Sequence, residues 1–147
     1  MGYVGSNPTH AILTMKPQER GDLTEAVALH RLMKSGFSVS QPFDDNQRYD
    51  FIVDNGRELN RVQVKTARYK GDKLIFNCAN SVANTVEVSN KTYTADEIDA
   101  FVVFSPALDT VYWVDIDDAP TKAMTLRTEP TKSGQTDGIN WAEDFEL

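Results

Sequence analysis

Early in the chain, Leu23, Ala26, Val27 and Met33, with His30 among them, recur at three- and four-residue steps. That period predicts an amphipathic helix. Pro17 suits a first helical position and Gly36 a left-handed stop, so the helix is expected from Pro17 to Ser35. Residues 1–14 carry no period and contain Gly2, Gly5, Ser6, Asn7 and Pro8, which reads as an extension before the fold.

Beyond Gly36 the period falls to two. Phe37 to Ser40 reads as a short strand, and Pro42 with Asp44, Asp45 and Asn46 as a loop. Tyr49 to Asp54 and Leu59 to Tyr69 read as paired strands around Asn55-Gly56, a strong hairpin signal. Lys73 to Ala79 follows as a third strand. Residues 80–98 are polar and read as a loop with a short helix near Thr94 to Ile98. Ala100 to Phe104 is a buried strand by its unbroken apolar run, and Thr110 to Ile116 is another. The order α-β-β-β-(α or loop)-β-β predicts an α/β (α+β) domain built on a mixed sheet. Residues 15–130 form that domain, and 131–147 an acidic tail with Trp141 and Phe145 available to dock it.

Composition narrows the classes. At 147 residues, 40% hydrophobic and 25% charged, the chain is an ordinary globular domain. Its single cysteine, Cys78, excludes an internal disulfide and a multi-thiolate zinc site within one chain. Cys78 reads as a small buried hydrophobe and His30 as a core histidine. The apolar run Ala100 to Phe104 is far short of the ~20 residues needed to cross a bilayer. No basic-then-apolar leader opens the chain, so the expected location is the cytoplasm, away from membranes.

A net charge of −7 argues against a generic nucleic-acid coat. The charge is uneven, however. Residues 57–73 hold six bases and two acids, and residues 94–147 three bases and twelve acids. The basic segment supplies Arg57, Arg61, Arg68, Lys70 and Lys73 as candidate phosphate contacts, or else as edge-strand charges that discourage aggregation.

The basic segment also overlaps an unusual polar set. With Asn55-Gly56 as a two-residue loop, Asp54 faces Arg57 and Asp50 faces Arg61. In that register Asp50, Gln63 and Lys65 project from one face, and Val62 and Val64 from the other. Carboxylate and carbonyl oxygens suit a hard cation such as Mg²⁺, which can generate hydroxide and stabilise charge on a phosphoryl oxygen. A lysine beside it can position water or offset developing charge.

Asp50, twelve residues and Gln63-x-Lys65 resemble the Asp…(Glu/Gln)-x-Lys signature of the PD-(D/E)xK nuclease superfamily. The run from Gly21 to Phe43, with Arg48 to Val53 and Arg61 to Arg68, is similar to the group I intron-associated, homing-type endonuclease branch, which uses Gln where relatives use Glu. Archaeal Holliday-junction resolvases share a similar helix–hairpin plan. Over residues 16–116 the resemblance implies a restriction-endonuclease-like core, a central mixed sheet flanked by helices. It also implies Mg²⁺-dependent (or Mn²⁺-dependent) phosphodiester hydrolysis, and a homodimer or homotetramer acting on duplex or branched DNA.

By the same resemblance, Asp50 is the principal metal ligand, Gln63 adds a side-chain carbonyl and Val64 a backbone carbonyl. Lys65 orients the attacking water, and Glu25 holds a second metal or its waters. Tyr49 stands where the superfamily's naming proline would precede the aspartate, and Gln63 is neutral where most relatives carry a charge. The neutral Gln63 also allows a DNA-binding module with weak or absent turnover.

Two further readings stay open. Asp22 and Glu25 have capping-box spacing, which would make Glu25 a helix cap. Gly5-Ser6-Asn7-Pro8 resembles a translated tRNA-gene T-arm, a common neighbourhood of mobile elements, which puts the expected start at Met15.

Overall fold

The computed structural model describes residues 14–83 and 88–147. Its one α-helix among the described residues, α1, spans Pro17–Lys34. The Lys16 N–H donates to Glu19 Oε2 (3.4 Å) at the entry. At the exit the Ser35 N–H reaches Arg31 O (3.0 Å), and Gly36 takes a φ of +93°. A helix beginning at Pro17 has Asp22 and Glu25 in its interior, so neither caps it.

The buried face differs from the sequence expectation. Thr24, Ala28 and Leu32 are buried, whereas Ala26, His30 and Met33 are exposed. The cause is a polar contact: Thr24 Oγ1 lies 2.7 Å from Thr66 Oγ1 on the sheet. Turning Thr24 inward rotates His30 and Met33 out to solvent, so His30 is not a core histidine.

Ten strands follow among the described residues: β1 Ser38–Ser40, β2 Phe51–Asp54, β3 Leu59–Thr66, β4 Arg68–Lys70, β5 Lys73–Asn77, β6 Ala79–Ala83, β7 Val88–Thr92, β8 Ala100–Ser105, β9 Thr110–Asp115 and β10 Ala123–Arg127. The central sheet has the order β1-β2-β3-β8-β9. Only its β3–β8 pair is parallel, so the sheet is mixed, as expected. β8 is buried along its whole length because both faces of the sheet are covered.

Alternate residues divide between two cores. Val62, Val64, Ala100, Val102 and Phe104 pack with Ala28 and Leu32 under α1. Phe101, Val103, Tyr112 and Val114 pack on the other side with Leu74, Phe76, Met124 and Leu126. Those last four belong to a second sheet, β10-β5-β4, which takes the place of a second flanking helix.

The hairpin register is shifted by two residues from the sequence expectation. Asp54 pairs with Leu59 and Phe51 with Val62. The Asp54 carboxylate accepts the Gly56 N–H (2.7 Å), and Asn55 Oδ1 accepts the N–H groups of Arg57 (2.9 Å) and Glu58 (3.0 Å). These side-chain caps stabilise a four-residue loop over the tight two-residue turn. An even shift preserves the parity of the paired residues, so Gln63 and Lys65 keep to the face opposite Val62 and Val64.

Three other expectations need revision. The long strand Leu59 to Tyr69 breaks at buried Ala67, after which the chain leaves for the second sheet as β4. Residues 80–98 hold a two-stranded ribbon, β6–β7, and Thr94 to Ile98 is a turn closed by Ile98 N–H to Thr94 O (3.1 Å), with no helix. The strand β10 was not foreseen, although Met124 and Leu126 alternate with exposed neighbours as a half-buried strand should.

The segment 131–147 returns to the body. Ala142–Phe145 forms a 3₁₀ turn, and the Leu147 N–H donates to Val111 O (2.9 Å) on β9. The Gly-Ser-Asn-Pro string lies outside the described residues. Among the described residues no helix is long and apolar enough to cross a membrane.

The burial of α1 makes a test of its orientation. Leu32→Ala should cost ~2–5 kcal/mol as a cavity in the helix–sheet layer. Met33→Ala, on the exposed face, should stay within about 0.5 kcal/mol. Urea denaturation of the two variants measures both.

Candidate active site

Asp50 sits one residue before β2. Its N–H donates to Val62 O (2.8 Å), and its Oδ2 accepts the Val64 N–H (2.8 Å). The carboxylate thus takes a ladder hydrogen bond that a neighbouring backbone would otherwise take, and it is locked against β3. The ladder begins at Phe51 opposite Val62, and the Asp50 N–H reaches the carbonyl of that same Val62, so Asp50 stands just outside the ladder beside the Val64 N–H that holds it.

Glu25 reaches the same place from α1. The Thr24–Thr66 contact pins the helix to β3 next to Lys65 and brings the Glu25 carboxyl close enough to Asp50 for the two to interact. Burial first, and then the Asp50 charge, push the Glu25 carboxyl up from 4.5 to about 7. Asp50 is also raised by burial, partly offset by the Val64 N–H, the Glu25 hydrogen bond and Lys65. Burial lowers Lys65, with Asp50 opposing the shift.

Lys65 donates from Nζ to Asn80 Oδ1 (3.0 Å) on β6. The same ammonium lies 5.0 Å from the centre of the Tyr93 ring, which Arg48 also covers at 4.0 Å. Arg48 Nε stands 2.8 Å from Glu97 Oε2, and its NH2 donates to Thr92 O (3.0 Å). The nearby Cys78 thiol is pushed up to about 11 by burial, which leaves it neutral and poorly suited to metal binding.

Glu25 and Asp50 line a cavity of about 230 Å³ walled by the loop that carries Asp44 and Asp45. Among the described residues no three His, Cys, Asp or Glu side chains come together in metal-binding geometry. A cation here has the Glu25 and Asp50 carboxylates available, with water to complete its shell. Oxygen donors of this kind fit Mg²⁺, which keeps several waters and takes one or two carboxylates. Two crowded carboxylates, one of them poised near neutrality, are also groups whose repulsion a divalent cation would relieve.

The structure separates the five candidate bases. Arg57 lies in the β2–β3 loop, at the far end of the ladder from Asp50. Arg61 is occupied by its own chain: its Nε and NH2 grip the Asp99 carboxylate (3.1 and 3.0 Å), and its NH1 donates to Asp96 O. Arg68 and Lys70 are exposed on β4, and Lys73 is half-buried opposite Lys70, all three beyond the Lys65 end of β3.

Arg48, Asn80 and Tyr93 went unrecognised as site residues. No local motif marks them, because they meet Lys65 through the ribbon β6–β7, which the polar stretch 80–98 does not advertise.

Residues 15–147 match the sequence profile of a family described as PD-(D/E)XK endonuclease. Among solved structures the chain is similar to a bacterial homing endonuclease, I-Ssp6803I, with a TM-score of 0.73 over 90% of this chain and 89% of that one. The two share 19% identity, so the likeness is one of fold. No curated protein matches the chain.

Because Glu25 is raised in the fold, its contribution to stability is full below its unfolded value near 4.5 and is lost as pH rises through about 7. Glu25→Gln keeps a donor for Asp50 but cannot ionise. After solvent screening the variant should exceed the wild type by roughly 1 kcal/mol at pH 8, or ~2–4 °C in Tm, and match it near pH 4.5. Thermal melts of both proteins across that range test the sign and the window.

Proposed function

The chain belongs to the PD-(D/E)XK endonuclease family, and we propose that it is a divalent-metal-dependent endonuclease that hydrolyses DNA phosphodiesters in a homing-type, mobile-element role. The observation that carries this reading is the clamped Asp50 carboxylate, with Glu25 and Lys65 brought to it from two different elements.

Asp50, Gln63 through its amide oxygen, Val64 through its carbonyl, and Glu25 are the groups that would hold Mg²⁺. When bound, the cation supplies Lewis acidity toward a phosphoryl oxygen and lowers the pKa of a coordinated water. The chain's own groups do the rest. The Val64 N–H keeps Asp50 from rotating, so its oxygens meet the substrate in a fixed direction. The Lys65 ammonium, desolvated and anchored by Asn80, directs positive charge at the attacking water or at the phosphorane. Glu25, titrating near neutrality, can hold or accept a proton at this edge of the site.

Arg68, Lys70 and Lys73 are proposed to meet the phosphate backbone beyond the Lys65 end of β3, and Arg57 a more distant phosphate. The donors of Arg61 stay within the fold. One site per chain cuts one strand, so a double-strand break calls for a homodimer or a larger symmetric assembly.

The test is cleavage of supercoiled plasmid and of a synthetic four-way junction, in Mg²⁺ or Mn²⁺, by the wild type and Lys65→Ala. Cleavage should require the metal and fall by at least about 10²-fold in the variant. Preference for plasmid supports the homing-type role, and preference for the junction replaces it with resolution of branched DNA. In parallel, Mg²⁺ should raise the wild-type Tm and leave Asp50→Asn unmoved, since a ligand stabilises only the state that binds it. Neither cleavage nor a Tm shift would overturn the reading in favour of DNA binding without turnover.

A further inference from the structure

The ribbon β6–β7 pairs within itself, outside both larger sheets. Its two base residues both face one group on β3. In the ribbon's register Ala79 pairs with Thr92 and Asn80 with Lys91, so Asn80 near the ribbon's start and Tyr93 just past its end lie at the same end of the ribbon. Asn80 Oδ1 accepts from Lys65 Nζ at 3.0 Å, and the Tyr93 ring lies 5.0 Å from the same nitrogen.

Neither contact is loose. Tyr93 is 4% exposed and stands edge-on against Phe101, with ring centres 5.5 Å apart and planes at 89°, so its ring is locked. Arg48, two residues before Asp50, covers the Tyr93 ring at 4.0 Å and donates to the carbonyls of Lys91 and Thr92. Two cations that repel each other thus share one aromatic ring, whose negative face attracts both. An ammonium offers three donors and accepts nothing, and a four-carbon stem lets it wander. A carbonyl oxygen and a ring face together restrict it to one place.

We propose that Asn80 and Tyr93 are positioning residues that hold the Lys65 ammonium in the active site, making the base of the ribbon part of the catalytic apparatus. The proposal rests on the nuclease reading for its kinetic consequence, but not for the placement of Lys65 itself. The ring of Tyr93 does the holding. Its hydroxyl is buried with no hydrogen-bond partner among the described residues, so phenylalanine should serve as well.

The experiment uses Asn80→Ala, Tyr93→Leu and Tyr93→Phe, each in the wild-type and Lys65→Ala backgrounds, with plasmid cleavage in Mg²⁺. Asn80→Ala and Tyr93→Leu should each lower kcat about tenfold with KM unchanged, and Tyr93→Phe should stay within about twofold. In the Lys65→Ala background neither Asn80→Ala nor Tyr93→Leu should lower the residual rate further, because the group being positioned is gone. Wild-type kcat in both variants, or an equal loss with and without Lys65, would overturn the proposal.

A second measurement does not need cleavage. The rate of Lys65 acetylation by acetic anhydride, followed by mass spectrometry on protein whose folding is confirmed by circular dichroism, should rise several-fold in Asn80→Ala and Tyr93→Leu. It should not change in Tyr93→Phe. If the wild type cleaves nothing, the nuclease reading fails while these rates still decide the placement of Lys65. Equal acetylation in all forms would overturn it.

Discussion

The hydrogen bond from the Val64 N–H to the Asp50 carboxylate joins the fold to the chemistry. It closes the ladder between β2 and β3 with a side chain where backbone pairing runs out. The same bond aims the carboxylate, and the strand it fixes carries Gln63 and Lys65 on either side of Val64. A buried carboxylate is costly without partners. Asp50 has several of different kinds: a backbone N–H, the protonated form of Glu25, and the charge of Lys65. The site is therefore assembled from the same interactions that end a strand and seat a helix.

Charge is balanced at short range. Two carboxylates face one nearby ammonium, and burial, followed by the Asp50 charge, raises the Glu25 carboxyl. Around Tyr93 the surplus is positive, with Arg48 and Lys65 both at its ring while Glu97 pairs with Arg48. A net acidic protein can present such a site because the acids are concentrated after residue 94 and the bases in 57–73. Net charge governs long-range attraction, whereas this site depends on groups a few ångströms apart.

Much of this was legible in the sequence where local rules decide. Pro17 and Gly36 bound α1 as expected, and the hairpin around Asn55-Gly56 forms with its two strands paired. Cys78 is buried as its type suggests. What escaped was set by tertiary contacts. The Asx caps of Asp54 and Asn55 moved the register by two, which no periodicity reveals. The helix turned on the Thr24–Thr66 contact, so a buried threonine displaced Met33 from the core. Arg61 looked like a free base but is held by Asp99, distant in sequence, and the ribbon β6–β7 hid in a polar stretch because its residues carry no alternating apolar signal.

The Arg61–Asp99 grip has a consequence for how the chain finds its fold. The β2–β3 hairpin, with three of the four site residues, forms from contacts close in sequence. The parallel partner β8 can join it only after residues 67–99 have been looped out, a closure that costs about 3 kcal/mol in chain entropy. Asp99 stands immediately before β8 and takes both the backbone N–H and the guanidinium of Arg61 on β3. A docking slipped by one residue would lose that paired recognition and turn the apolar rows of β8 toward the wrong cores. The grip thus favours the native register of the parallel β3–β8 pair over one slipped by a residue.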